Sequence, residues 1–188
     1  MEMGLVSMET DNLAQAWQQI KKGDIKSYEW LFKRLASKLY SYGYRIVPNR
    51  AIVEDALQDL FVQLWEHRQE LSDVRLVKPY LYKSIRSRLL RVANGNHLFS
   101  EEELYFISTA PYEESIIEQE NDQQLNAHLY SCLGKLTPRQ REIIHLKFYQ
   151  QLEYEEIANV LNMVYQAAVN LCFRAISSLR QCLKNHIS

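Results

Sequence analysis

The sequence predicts an all-α protein: two small helical domains joined by an acidic linker. Three observations carry this expectation. Apolar residues recur at helical spacing over long stretches, and few windows alternate apolar with polar. Glycine and proline are scarce, at five and four in 188 residues, while 47% of the chain is hydrophobic, enough to fill cores. Charge is also segregated, although the formal net charge is only −1. Residues 74–100 contain no acid but hold Arg75, Lys78, Lys83, Arg86, Arg88 and Arg91; residues 101–133 contain no Lys or Arg and accumulate Glu and Asp.

Helical spacing first runs through Asp11–Lys22 and Ile25–Gly43, and then from Pro48 to Glu70. In the last of these Val53, Leu57, Leu60, Phe61 and Leu64 form an apolar stripe, with Asp55, Gln58, Asp59 and Glu66 on other faces. Ser72-Asp73 breaks the pattern. Lys78-Pro79 reads as a helix start with proline at the first position, and the helix reaches Ala93 before Asn94-Gly95-Asn96 stops it. Residues 98–121 are acidic, contain Pro111 and keep no period, which reads as a linker between domains at 1–97 and 122–188.

The second domain is expected to open with a helix over Asp122–Leu133. Thr137-Pro138-Arg139-Gln140 then has the composition of a capping box: hydroxyl and amide satisfy backbone N–H groups that a helix start leaves orphaned. From Tyr154 to Ile176 the pattern is that of a helix-turn-helix. Ile157, Ala158 and Leu161 lie on one helix, and Ala168, Leu171, Ala175 and Leu179 stripe the next. Ala158 is small where the helices must cross, and Asn162 tolerates the left-handed conformation of the turn. Two readings fit: a packed helical hairpin, or a DNA-reading module whose contacts are Tyr165, Gln166, Asn170 and Arg174. The second helix is poorly basic, so such a module binds DNA weakly by itself.

Several classes are disfavoured. His67, His97, His128, His145 and His186 are scattered without metal-ligand spacing, and neither a Gly-rich phosphate loop nor a nucleophile motif occurs, so no cofactor, metal or catalysis is expected. Residues 1–10 lack the pattern of a signal peptide and no run is long enough to span a bilayer, so an intracellular, cytoplasmic protein is expected. Cys132, Cys172 and Cys182, odd in number and without a Cys-x-x-Cys pair, are read as reduced packing residues in preference to a metal or redox role.

Taken together, these motifs resemble those of sigma-70-type sigma factors of the small extracytoplasmic-function group. The stretch Val53-Glu-Asp-Ala-Leu-Gln-Asp-Leu-Phe-Val-Gln-Leu-Trp65 is similar to region 2.2, and Pro79-Tyr-Leu-Tyr-Lys-Ser-Ile-Arg86 to regions 2.3–2.4. Leu136-Thr-Pro-Arg-Gln-Arg-Glu142 and Tyr154-Glu-Glu-Ile-Ala158, followed by Arg174-Ala175 and Leu179-Arg180, resemble region 4. The resemblance implies a promoter-recognition factor without catalysis, a monomer when free, whose partners are core RNA polymerase through its β′ and β subunits, promoter DNA and, as a regulator, an anti-sigma factor. Asp55, Gln58, Asp59, Phe61 and Trp65 would face the polymerase, with core packing an equally good reading of Phe61 and Trp65. Arg75, Lys78, Tyr82, Lys83, Arg86, Ser87, Arg88 and Arg91 would read the −10 element; Tyr165, Gln166, Val169, Asn170 and Arg174 would read the −35 element.

The chemistry fits, because holding an unstacked single-stranded base calls for cations along the backbone and aromatic walls around the base. Tyr80 and Tyr82 beside Lys83, Arg86, Arg88 and Arg91 supply both types; of these Tyr80, with Leu81, is read as core, and the cations as a DNA-facing surface because no acid interrupts them. Ser87 stands where the family usually has Asn, and Val169 where many members carry a cation. Two other readings remain: a sigma-like chain working through protein contacts alone, and a free-standing helix-turn-helix regulator, which has no need of the Asp55/Gln58 face.

Overall fold

The computed structural model describes residues 2–74, 76–95 and 128–184. The expected linker at 98–121 and Arg75 lie outside the described residues, as does the start of the expected 122–133 helix. Every described regular element is helical, and the chain divides into two compact units, Met1–Leu98 and Phe99–Ser188.

The first unit holds α1 (Glu2–Lys21), α2 (Ile25–Ile46), α3 (Arg50–Glu66) and α4 (Val77–Gly95), with α2 packed against the other three. Each boundary has a local cause. Gly23, at φ 89°, takes the left-handed conformation that ends α1. Asp24 caps α2 by accepting from the Ser27 N–H at 3.0 Å, and its carboxyl is held below the usual range chiefly by the Ser27 side chain. Asn49 caps α3 from the Ile52 N–H.

The core of this unit is the interleaved stripe of Trp17, Ile20, Leu31, Leu35, Leu39, Tyr42, Val53, Leu60, Leu81, Ile85 and Leu89. At its centre Gly43 does not stop α2, as the sequence pattern suggested, but lets neighbouring helices close in. A Cβ there would lie 2.9 Å from Leu89 Cδ1 and 3.1 Å from Val53 Cγ1. Three further boundaries differ from expectation, the first being α1, which already begins at Glu2 rather than at Asp11. The α3 helix ends at Glu66, because Arg68 turns back to donate to the Trp65 carbonyl at 2.7 Å. The α4 helix starts at Val77, which puts Pro79 at the third position; N–H groups there have no helical partner anyway, so proline costs little.

The second unit holds helical residues 128–134 (α5), α6 (Pro138–Ile144), a π-helical turn (His145–Tyr149), α7 (Tyr154–Leu161) and α8 (Tyr165–Lys184). The capping box forms as the sequence predicts: Thr137 N–H donates to Gln140 Oε1 at 3.0 Å and Gln140 N–H to Thr137 Oγ1 at 3.3 Å. The π-turn has no warning in the sequence pattern. It buries His145 and Leu146, stacks the His145 ring on Tyr149 at 5.3 Å and leaves Phe148 exposed. Cys132 and Cys182 are joined as a disulfide across 50 residues, which corrects the expectation of three reduced cysteines; only Cys172 is free and buried. Sequence spacing gives no hint that α5 abuts the last turns of α8. Closing a loop of that size stabilises the unit by about 4 kcal/mol through the unfolded chain.

Candidate functional site

On α3 the apolar stripe of Val53, Ala56, Leu60, Phe61 and Leu64 is buried, and this turns Asp55, Gln58, Asp59, Val62, Gln63 and Glu66 outward as one polar, acid-bearing surface. Two residues expected on that surface lie elsewhere. Phe61 is only 2% exposed and meets Phe32 edge-on at 4.9 Å, so it is a core residue rather than a contact. Trp65 is partly exposed, tilted against Tyr28 at 5.1 Å and covered by the Arg68 guanidinium 4.5 Å from its ring centroid. Tyr28 closes the arrangement by donating its hydroxyl to the Phe61 carbonyl at 3.0 Å. Burial pushes that phenol up from its usual value. Phe32, 42% exposed beside this cluster, was not singled out from the sequence. Its place on the outer face of α2 is settled by tertiary packing.

On α4, Lys83, Ser87 and Arg91 are exposed at successive four-residue steps, which places them on one line along the helix. Lys78, Arg86 and Arg88 are partly exposed beside it. Arg88 donates to Gln63 Oε1 at 2.6 Å, linking this basic line to the polar surface of α3. Tyr82, expected among the base-reading residues, is fully buried against Tyr42 at 5.1 Å, so it belongs to the core. Tyr80 is partly exposed and packs edge-on to Trp17 at 5.2 Å. Of the tyrosine pair it is therefore Tyr80, expected in the core, that keeps a wall toward solvent, while Leu81 is buried as expected.

The connection before α4 is held from α1, a feature absent from the sequence reading. The Trp17 indole N–H donates to the Ser72 carbonyl at 3.1 Å, Gln18 donates to Asp73 at 3.1 Å, and Lys21 pairs with the same Asp73 carboxylate. These partners, Lys21 first and Gln18 next, hold the Asp73 carboxyl below its usual 3.8.

In the second unit, α7 ends at Asn162 in the left-handed region (φ 51°, ψ 54°), as its place in the turn predicts, and Ala158 is buried at the crossing. The α8 helix buries Ala168, Cys172 and Ala175. Tyr165, Gln166, Asn170 and Arg174 are exposed and Val169 is partly so; Gln166 donates to Asn170 Oδ1 at 3.1 Å. The same face carries Phe173, 69% exposed, which the sequence reading passed over. Its position three residues after Asn170 is the signal that would have found it. Tyr154, on α7, has its phenol pushed up first by its hydrogen bond with the Cys172 side chain and then by burial. Among the described residues, no group of three His, Cys, Asp or Glu could hold a metal ion, and no helix is long and apolar enough to cross a membrane.

Comparison with known proteins agrees with this arrangement. Residues 31–96 match Sigma-70 region 2 and residues 132–181 match Sigma-70, region 4, together more than half of the chain. An RNA polymerase sigma-E factor of Streptomyces avermitilis is 23% identical over 164 residues, covering 87% of this chain and 88% of that protein. The ECF RNA polymerase sigma factor SigK of Mycolicibacterium vanbaalenii is 24% identical over 182 residues, covering 95% and 91%. The fold is shared with CnrH in its complex with the cytosolic domain of CnrY, at a TM-score of 0.64, 19% identity and coverage of 93% of this chain and 99% of that one. It is also shared with the sigma factor RpoE bound to the anti-sigma factor NepR from Bartonella quintana, at a TM-score of 0.61, 19% identity and coverage of 85% and 98%. With both sigma regions present in order and relatives of this kind along most of its length, the chain belongs to the extracytoplasmic-function group of sigma-70-type RNA polymerase sigma factors.

Proposed function

We propose that this chain docks on core RNA polymerase through the α3 surface of Asp55, Gln58 and Asp59, and directs it to promoters through α4 and α8. The observation that carries the reading is the adjacency, within one helical unit, of an outward acid-bearing surface on α3 and an outward basic line of Lys83, Ser87 and Arg91 on α4. The first suits a basic coiled coil of the β′ subunit; the second suits a nucleic-acid backbone. Tyr80 offers the aromatic wall against which an unstacked −10 base can rest. In the second unit Tyr165, Gln166, Asn170 and Arg174 are placed to enter a major groove at the −35 element. The factor acts in the cytoplasm, one copy per polymerase, and contributes recognition rather than catalysis. An anti-sigma protein would silence it by covering the Asp55–Trp65 surface.

Measuring association of the full chain with core polymerase, wild type against Asp55→Ala/Gln58→Ala, tests this directly. The double change is expected to cost about 2 kcal/mol or more, the scale of an interface hot spot. Equal binding by both proteins would overturn the assignment.

One observation favours a second reading, a sigma-like protein working through protein contacts. Phe173 and Val164, at 69% and 73% exposure, accompany Val169 near a helix face with few cations. Loss of promoter binding with polymerase binding intact would select that reading.

A further inference from the structure

We propose that Cys132 and Cys182 form a reversible oxidation site, responsive to hydroperoxides, that staples α5 to the last turns of α8. The fold brings the two residues together, with Cα atoms 5.8 Å apart, within the range that bonds without backbone movement. The two sulfurs differ in surroundings. Cys182 is partly exposed, whereas Cys132 is buried and lies 3.7 Å from His128 Nε2, one helical turn earlier on α5. A partly exposed cysteine beside a buried second one, with a histidine next to the latter, is the arrangement of a sensing and a resolving thiol. Cys172 stands apart: its free thiol is buried beside the Tyr154 hydroxyl, to which it is hydrogen-bonded, and lies ten residues, or about 15 Å of helix, from Cys182.

The chemistry balances with a hydroperoxide as oxidant. The Cys182 thiolate attacks the terminal oxygen, the O–O bond breaks, and the alcohol (water, for hydrogen peroxide) leaves with the thiol's proton, giving a sulfenic acid. His128 then accepts the Cys132 proton, and the Cys132 thiolate attacks the Cys182 sulfur. The S–O bond breaks and the departing hydroxide takes the proton back as water. Two thiols are oxidised by two electrons, and the peroxide is reduced. A dithiol reductant reverses the state by attacking the more accessible Cys182 sulfur.

The regulated character of the site rests on the function proposed above. A polymerase factor works where cellular thiols keep cysteines reduced, and disulfides there are transient and redox-sensing rather than permanent. The unit that is stapled is the one whose α8 carries Tyr165, Gln166 and Asn170 at its other end. Oxidation therefore stiffens the element that would read DNA.

The test needs neither polymerase nor promoter. The full chain is reduced, freed of reductant, treated with hydrogen peroxide, then alkylated in denaturant and mapped by mass spectrometry. A Cys132–Cys182 linked peptide, with Cys172 alkylated and the link reversed by a dithiol, is expected. The oxidised protein should unfold its second unit at a midpoint higher by roughly 20 °C than the reduced protein or Cys132→Ser/Cys182→Ser. His128→Ala should form the link several-fold more slowly and accumulate a sulfenic acid on Cys182 that dimedone traps. Links that involve Cys172, no link at all, or coincident midpoints for the two states would overturn the proposal. Failure of polymerase binding alone would leave these readouts unchanged, so the two ideas fall separately.

Discussion

Arg88 on α4 donates to the Gln63 side-chain oxygen on α3 at 2.6 Å, so this cation is turned toward the polar surface of α3. Arg91, three residues later, is exposed on the line with Lys83 and Ser87. The two arginines should therefore behave differently on DNA. In the reconstituted holoenzyme, Arg91→Ala is expected to lower the slope of log affinity against log salt by about 0.7, the loss of one single-strand phosphate contact. Arg88→Ala should change that slope less and lower the thermal midpoint of the first unit slightly instead. A salt series on promoter DNA distinguishes them, and equal slopes would show that Arg88 leaves Gln63 to reach the backbone.

The close approach at Gly43 makes a stability prediction. Gly43→Ala gains helix propensity of about 1 kcal/mol, but its methyl would meet Leu89 Cδ1 at 2.9 Å and Val53 Cγ1 at 3.1 Å, both side chains of the buried core. Overpacking of this kind costs about 1–3 kcal/mol, so the net change should be destabilising. Denaturant unfolding followed in the first unit checks it; a gain in stability would mean that α4 moves outward without cost. A companion Gly43→Ala/Leu89→Ala protein should recover part of the loss if the Leu89 contact is its source.

What the sequence made legible follows from which interactions are local. The existence of the helices, the Thr137/Gln140 box and the left-handed Asn162 each depend on residues within one or two turns, and the structure has them where the pattern predicts, with helix ends shifted by tertiary contacts. The outward turn of Asp55, Gln58 and Asp59 was legible because it is the complement of an apolar stripe. Tyr82 was misplaced because α4 carries two tyrosines on nearly opposite faces, and the packing of Tyr82 against Tyr42 on α2 decides which is buried. Phe61 fell to the same ambiguity, resolved by Phe32 and Tyr28. The Trp17–Ser72 bond, the π-turn and the Cys132–Cys182 pair join residues whose nearness only the folded chain supplies.

Asp73 gives the connection before α4 a pH dependence of known sign. Its carboxyl titrates below the usual 3.8, first because Lys21 donates to it and then because Gln18 does. A folded-state pKa below the unfolded one means that folding favours the ionised form. The contribution is present above the unfolded value and is lost as pH falls through the lower, folded value. Lys21→Met should return the Asp73 carboxyl toward 3.8, read by NMR titration, and remove that part of the acid sensitivity. The pair is solvent-exposed, so raised salt should move the wild-type value in the same direction. An Asp73 pKa unmoved by Lys21→Met would place the cause in Gln18 alone.

Asn162 separates the geometry of the turn from the chemistry of the DNA-reading face. It holds φ 51° and ψ 54°, its own N–H donates to the Asn159 carbonyl, and the Met163 N–H returns to the Ala158 carbonyl at 2.9 Å. Asn162→Gly keeps that conformation open and should change stability by less than about 1 kcal/mol. Asn162→Val must hold a β-branched residue in the left-handed region, at a cost of about 1–2 kcal/mol. Because the turn sets how α8 leaves α7, the valine protein should also lose −35 DNA affinity in the holoenzyme while the glycine protein keeps it. Thermal unfolding and promoter binding on the same three proteins test both statements. A valine protein that melts like the wild type would show that the turn can reorganise around a right-handed residue, and the exit angle of α8 would then be fixed by the buried Ala158–Ala168–Cys172 packing instead.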